Sequence, residues 1–209
     1  MSEKQKEIRK KLRLAMNGIT SSAMREKGVN YKLNFGVPVM TLKKMAKDYA
    51  PNAELAEELW KENTRELKIL ATLIQPPNSF TKTLFWVNDI ENLELAEQAS
   101  MNLFSKTPDA PDNALRLIQS KELYSKICGY LIYARLFMAD YQLNENKETY
   151  FIHIAGALDS ESLILKNAAL TSLKKLGRQS IINAKDILAQ YETKNAIYEN
   201  LKFEFDYYS

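Results

Sequence analysis

What most restricts the fold of this chain is where its glycines and prolines fall. There are six of each in 209 residues, and all six prolines, with Gly36 and Gly177, fall in short stretches: NFGVP at 34–38, YAPN at 49–52, QPPNS at 75–79, TPDAPDN at 107–113 and LGRQS at 176–180. Such clusters punctuate a chain, because proline stops a helix and glycine permits the turn that follows. Between them the apolar residues recur at helical spacing. Leu42, Met45, Ala46 and Tyr49 stand at i, i+3, i+4 and i+7, the signature of one buried helix face. TRELKILATLI, NLELAEQASMNLF, DNALRLIQ, ELYSKICGYLIYARLFM, ETYFIHIAGAL, SLILKNAALTSLKKL and INAKDILAQY behave alike. No segment alternates with the period of two that a half-buried strand requires. The expected class is all-α, with about a dozen short helices. Asn52, which opens NAELAEELW, is placed to cap its helix, and the acids that follow suit the helix dipole.

The helices also resemble one another. LKILATLI, SKICGYLI and LKNAALTS each carry a lysine followed three residues later by a small residue: Lys68 with Ala71, Lys126 with Gly129, Lys166 with Ala169. A small residue at that position lets a neighbouring helix approach closely. Glu97 and Ser100 fit the same frame, so the units recur at separations of 29, 29 and 40 residues. Helix pairs repeating at such a period predict a HEAT-like α-α superhelix, a solenoid of about six helix pairs forming a single domain over residues 1–209. Equivalent positions in stacked repeats line one surface. Lys68, Lys126 and Lys166, joined by Lys174, Lys175 and Arg178 of LKKLGRQS, would then form a basic row suited to a phosphate backbone. The alternative is that these lysines are ordinary solvated residues, with the last group complementing a helix C-terminus.

Composition narrows the functions. The net charge of +3 and a pI near 8.7 make a mild basic excess, too small alone to establish nucleic-acid binding. With one cysteine, Cys128, and one histidine, His153, the chain cannot assemble a usual zinc site or an intrachain disulfide; no metal and no cofactor are expected. Cys128 in KICGYLIY reads as a small buried residue and His153 in YFIHIAGAL as structural. Trp60 and Trp86 lie on apolar faces and read as core, Trp86 being the one aromatic near the Glu97 helix. Tyr124 precedes Lys126 by two and is a candidate to line a groove. The tail YENLKFEFDYYS, aromatic and acidic, is expected to cap the solenoid. The N-terminus lacks the apolar stretch of a signal peptide, and no apolar run approaches a membrane span of ~20 residues; a cytoplasmic monomer without membrane contact is expected.

The ordered segments NFGVPVMTLKKMAK, LAEELWKENTRELKILATLI, WVNDIENLELAEQASMNLFSKTP, LYSKICGYLIYARL and SESLILKNAALTSLKKLGRQS resemble the bacterial DNA alkylation repair family of AlkD-like glycosylases, from about Gly28 to about Ile187. The resemblance implies a HEAT-like solenoid holding double-stranded DNA, damaged or branched. It also implies excision of cationic N3- or N7-alkylated purines without a metal and without base flipping. Such chemistry needs a carboxylate beside an oxocarbenium-like sugar, an aromatic face and an arginine on the backbone. The family pattern D-N-W-D-L-C-D-Q places its tryptophan at Leu93 and its essential aspartate at Glu97. R-R-A-G-F places its arginine at Ile127, directly after Lys126. Leu93 has no π-face, Glu97 is longer by a methylene and Ile127 cannot hold a phosphate. The resemblance therefore implies a DNA-binding member whose catalytic positions are largely substituted. Two alternatives stand beside it: an active glycosylase working through Glu97, and a protein-interaction scaffold without DNA binding.

Overall fold

The computed structural model describes residues 1–143, 146–191 and 196–207. Among them thirteen α-helices form and no strand does; one isolated parallel bridge joins Leu33 and Thr64. No described helix is long and apolar enough to cross a membrane. The contacts divide the chain into two compact units, Met1–Lys82 and Thr83–Ser209.

The first unit holds α1 (Glu3–Leu14), α2 (Gly18–Glu26), α3 (Val39–Ala46), α4 (Ala53–Trp60) and α5 (Arg65–Ile74). Asn52 caps α4 as its sequence predicts, accepting from the Leu55 N–H at 3.0 Å. Helix α5 is the centre of the unit: of its ten residues only Leu73 escapes burial, and Leu67, Ile69, Leu70 and Ala71 are wholly inside. Each large aliphatic side chain so buried contributes about 1.5–3 kcal/mol. That stabilisation accommodates an ion pair placed in the core. Arg65 and Glu66 meet at 2.8 Å with side chains 2% and 0% exposed. Their remaining capacity goes to the NFGVP loop. The Glu66 carboxylate accepts the Phe35 and Val37 N–H groups at 3.0 and 3.2 Å, and Arg65 donates to the Val37 carbonyl at 2.9 Å. The loop is thus bound by a fully hydrogen-bonded charge pair, the condition under which buried charges are tolerated. Gly36 is required there: its φ is +68°, and a Cβ would lie 2.3 Å from the Asn17 carbonyl oxygen.

The second unit holds α6 (Thr83–Trp86), α7 (Leu93–Asn102), α8 (Ala110–Ile118), α9 (Leu123–Met138), α10 (Lys147–Leu158), α11 (Leu163–Gln179), α12 (Ile181–Gln190) and α13 (Ala196–Tyr207). Helices α9 and α11 are its long members and pack along each other; α7 and α8 flank α9, and α10 flanks α11. Being covered on several sides, α9 has an almost continuous apolar sequence, with Ile127, Cys128, Tyr130, Ile132 and Tyr133 all buried. Its aromatic residues meet Tyr150 of α10 edge-on, the Tyr133–Tyr150 centroids 4.9 Å apart. The Tyr150 hydroxyl is satisfied by Ser172 of α11 at 2.7 Å.

The small residues of the repeat frame lie at close approaches. Ala71 and Ala169 are 0% exposed. At Gly129 a Cβ would lie 2.7 Å from Ile118 Cγ2 and 2.8 Å from the Ile118 backbone nitrogen, so α8 and α9 touch at backbone distance. Trp60, Trp86 and Cys128 are core residues, 2%, 0% and 0% exposed. The tail forms α13, burying Leu201 and Phe205, and Phe205 fills the space that Gly177 leaves open on α11. Tyr208 and Ser209 of that tail lie outside the described residues.

Candidate nucleic-acid interface

The sequence places six cations in one basic row, and the side chains divide. Lys68 is a correction to that expectation. It is 8% exposed, its ammonium donates to the Trp60 carbonyl at 3.0 Å, and it lies 4.5 Å from the centre of the Trp60 ring. Trp60 ends α4, so its carbonyl has no partner within that helix; Lys68 closes the helix end and gains a cation–π contact. The repeat spacing around Lys68 is that of a surface lysine, but α5 is buried on nearly every side, and no lysine there can reach a phosphate without leaving the core.

In the second unit the picture differs. Lys126 near the start of α9 and Lys166 near the start of α11 are half-buried, with access to solvent, and Arg178 on the last turn of α11 is exposed. Lys174 is held by Glu204 of α13 at 2.7 Å, which places an acid against that end of the row. Lys185 of α12 is likewise bound by Asp206 at 3.2 Å.

The positions carried over from the resemblance are distributed as follows. Leu93 is the first residue of α7 and is half-buried. The Asn92 side chain caps that helix, accepting from the Leu95 N–H at 3.0 Å. Glu97, one turn further on, is exposed to solvent. Crowding by the surrounding protein raises its carboxyl above the ordinary value, Glu94 adds to the rise, and Arg135 opposes it. Ile127 is 0% exposed and belongs to the core. Ser100, in the same frame as Glu97, is buried beside Cys128, whose thiol burial pushes up to about 12; a thiol so held is inert.

Two residues missed in the sequence belong to this surface. Arg135 is exposed on α9 and is the cation whose field reaches Glu97. It is the one charged residue in the twelve-residue run ICGYLIYARLFM, a signal that was available: an arginine amid apolar helix residues has a specific direction to face. His153, read as structural, is only half-buried on α10 and stands near Lys126. Tyr124 lines a separate recess of about 340 Å³ with Asn88 and Glu122. Among the described residues no cluster of three His, Cys, Asp or Glu side chains has the arrangement to hold a metal.

The fold and these surfaces define a class: an all-α, HEAT-like repeat protein. A solved structure described as "a new family of proteins related to the HEAT-like repeat DNA glycosylases with affinity for branched DNA structures" is similar over 97% of this chain and 94% of its own, with a TM-score of 0.79 and 19% sequence identity. A comparison with curated protein sequences finds no match. The family described as DNA alkylation repair enzyme matches residues 8–196. This chain belongs to the DNA alkylation repair enzyme family.

Proposed function

We propose that this chain binds double-stranded DNA, branched forms included, and that it excises alkylated purines weakly or not at all. The observation that carries the binding half is the placement of cations on the second unit. Lys126, Lys166, Arg135 and Arg178 all stand outside the core on α9 and α11, two helices packed side by side. Cations spaced along neighbouring helices release condensed counterions from a phosphate backbone, a gain that does not depend on base sequence. The affinity for branched DNA described for the family of the similar structure supports including junctions among the substrates.

The second half rests on what surrounds Glu97. Stabilising an oxocarbenium-like sugar takes preorganised groups, each worth ~2–4 kcal/mol of barrier. At the three positions carried over from the family pattern this chain has a half-buried leucine, an exposed glutamate and a core isoleucine. A reading in which Glu97 still works is favoured by one feature, the arginine at position 135 whose charge reaches it.

The test is equilibrium binding of a linear duplex, a four-way junction and a single strand across a salt series, beside single-turnover release of 3-methyladenine and 7-methylguanine with protein in excess. Salt-dependent binding of duplex or junction with release at the spontaneous rate supports the proposal. Binding to none of the three in dilute buffer leaves the protein-interaction scaffold. Release above background that Glu97→Gln abolishes establishes the glycosylase instead.

A further inference from the structure

Helices α8, α9, α10 and α11 leave a recess of about 230 Å³ that the contacts above do not use. Its walls include Ile118 and Tyr130, and its polar lining is Lys126, His153 and Ser160. Gly156 lies on its wall, and a Cβ there would meet nothing within 4 Å, so a larger side chain has room to enter the recess.

The charges around the recess are one-sided. From α9 come Lys126 and Tyr130; from α10 comes His153; α8 and α11 contribute Ile118 and Leu165. Among the described residues no carboxylate lines it. Of the acids near in sequence, Asp159 is bound by the Tyr191 hydroxyl and Glu122 lines the recess of Tyr124, while Glu161, next to Ser160, is exposed and outside the lining. Lys166, one residue beyond Leu165, adds further positive charge nearby. The Ser160 oxygen accepts the Ser162 N–H at 3.2 Å, which leaves its own O–H able to donate outward. Burial and the adjacent Lys126 ammonium both hold the His153 imidazole below its ordinary value.

We propose that this recess is a phosphate site, in which the Lys126 ammonium and the His153 imidazolium hold a phosphate oxyanion between them with the Ser160 hydroxyl as a third donor. Two basic groups that repel each other when the recess is empty become a clamp once a dianion or diester lies between them, and the apolar wall accepts the sugar or ester carbon attached to it. The phosphate belongs either to a nucleic-acid backbone or to a free phosphate monoester. The inference deepens the DNA-binding reading by adding His153 and Ser160 to Lys126. It also gives phosphate binding a direction with pH: binding tightens as pH falls and His153 takes up its proton.

Because His153 is the one histidine of the chain, its imidazole C–H resonances in proton NMR are unambiguous. They are followed against pH in chloride, in inorganic phosphate at equal ionic strength, and with a short duplex. The expected result is a titration midpoint below the ordinary value in chloride that rises by about one unit with phosphate or with duplex. Lys126→Met and Gly156→Val should each abolish the rise, the first by removing a charge and the second by filling the recess. A rise with inorganic phosphate alone assigns the site to free phosphate, and a rise with duplex alone assigns it to the backbone. A midpoint moved by neither, or a rise undiminished in both variants, overturns the inference. If inorganic phosphate moves the midpoint while no DNA binds, the site stands and the DNA reading falls. If DNA binds and His153 responds to neither addition, the reverse holds.

Discussion

Lysines three residues ahead of a small residue occur in both units, and the two units use them for opposite ends. In the first, Lys68 is drawn into the core with Arg65 and Glu66, and all three fasten backbone: the end of α4 and the NFGVP loop. In the second, Lys126 and Lys166 hold the matched positions yet stay at the surface. The difference lies in how their helices are covered. Helix α5 is enclosed on nearly every side, so a charge on it must find partners inside; α9 and α11 each keep a face toward water. A cation's role is therefore set by the burial of its helix, and the same sequence spacing serves architecture in one unit and leaves its lysines open to solvent in the other.

The sharpest way to break this comparison is to remove a partner of the buried pair. Glu66→Gln leaves Arg65 as a buried charge without its counter-ion, and unfolding by urea should show a loss of about 3–5 kcal/mol. Lys166→Ala on the surface should stay within ~0.5 kcal/mol of the parent. Equal losses at the two sites would erase the distinction. Lys68→Met comes next. It removes the hydrogen bond to Trp60 and the cation–π contact, at about 1–3 kcal/mol, and should leave the salt dependence of DNA binding unchanged. For Lys166→Ala and Arg178→Ala the order reverses: stability holds, while the slope of log affinity against log salt flattens by about 0.9 for each charge removed.

The smallest expected effect is one of pH. His153 has its pKa lowered in the folded protein, so between that lowered value and 6.5 the unfolded chain binds more protons than the folded one. Stability should accordingly rise with pH through that window and level off above it. His153→Gln should flatten the rise, as measured by thermal unfolding at a series of pH values.

The helical class and most of its punctuation were legible in the sequence because they are local; LGRQS was not the turn expected, since α11 runs on to Gln179 and Gly177 sits inside it against Phe205. Asn52 caps the helix it precedes, NFGVP interrupts the helices as a loop, and Gly129 permits a close approach; each is announced by its own residue type, though what holds the loop and what meets Gly129 lie elsewhere in the chain. Lys68 was misplaced because a lysine at helical spacing looks the same whether its helix is enclosed or open, and enclosure depends on the packing of distant segments. The same reason hid the Arg65–Glu66 pair, whose partners Phe35 and Val37 are about thirty residues away. It also hid the nearness of His153 to Lys126, on different helices. Arg135 is the exception, since a lone charge in an apolar run was visible and its significance was not.

The backbone contact between α8 and α9 at Gly129 has a mechanical side. Most helix pairs are separated by a layer of side chains, and rotamer changes in that layer absorb small displacements before they reach the neighbour. Here that cushion is missing: Gly129 lies against the backbone of Ile118, one turn from Lys126. If a ligand of the proposed kind pulled on Lys126, α9 would shift, and α8 has no compliant layer through which to lag behind. The two helices should therefore move as one stiff beam, and replacing Gly129 by alanine would pry the beam apart at the point where the pull is applied.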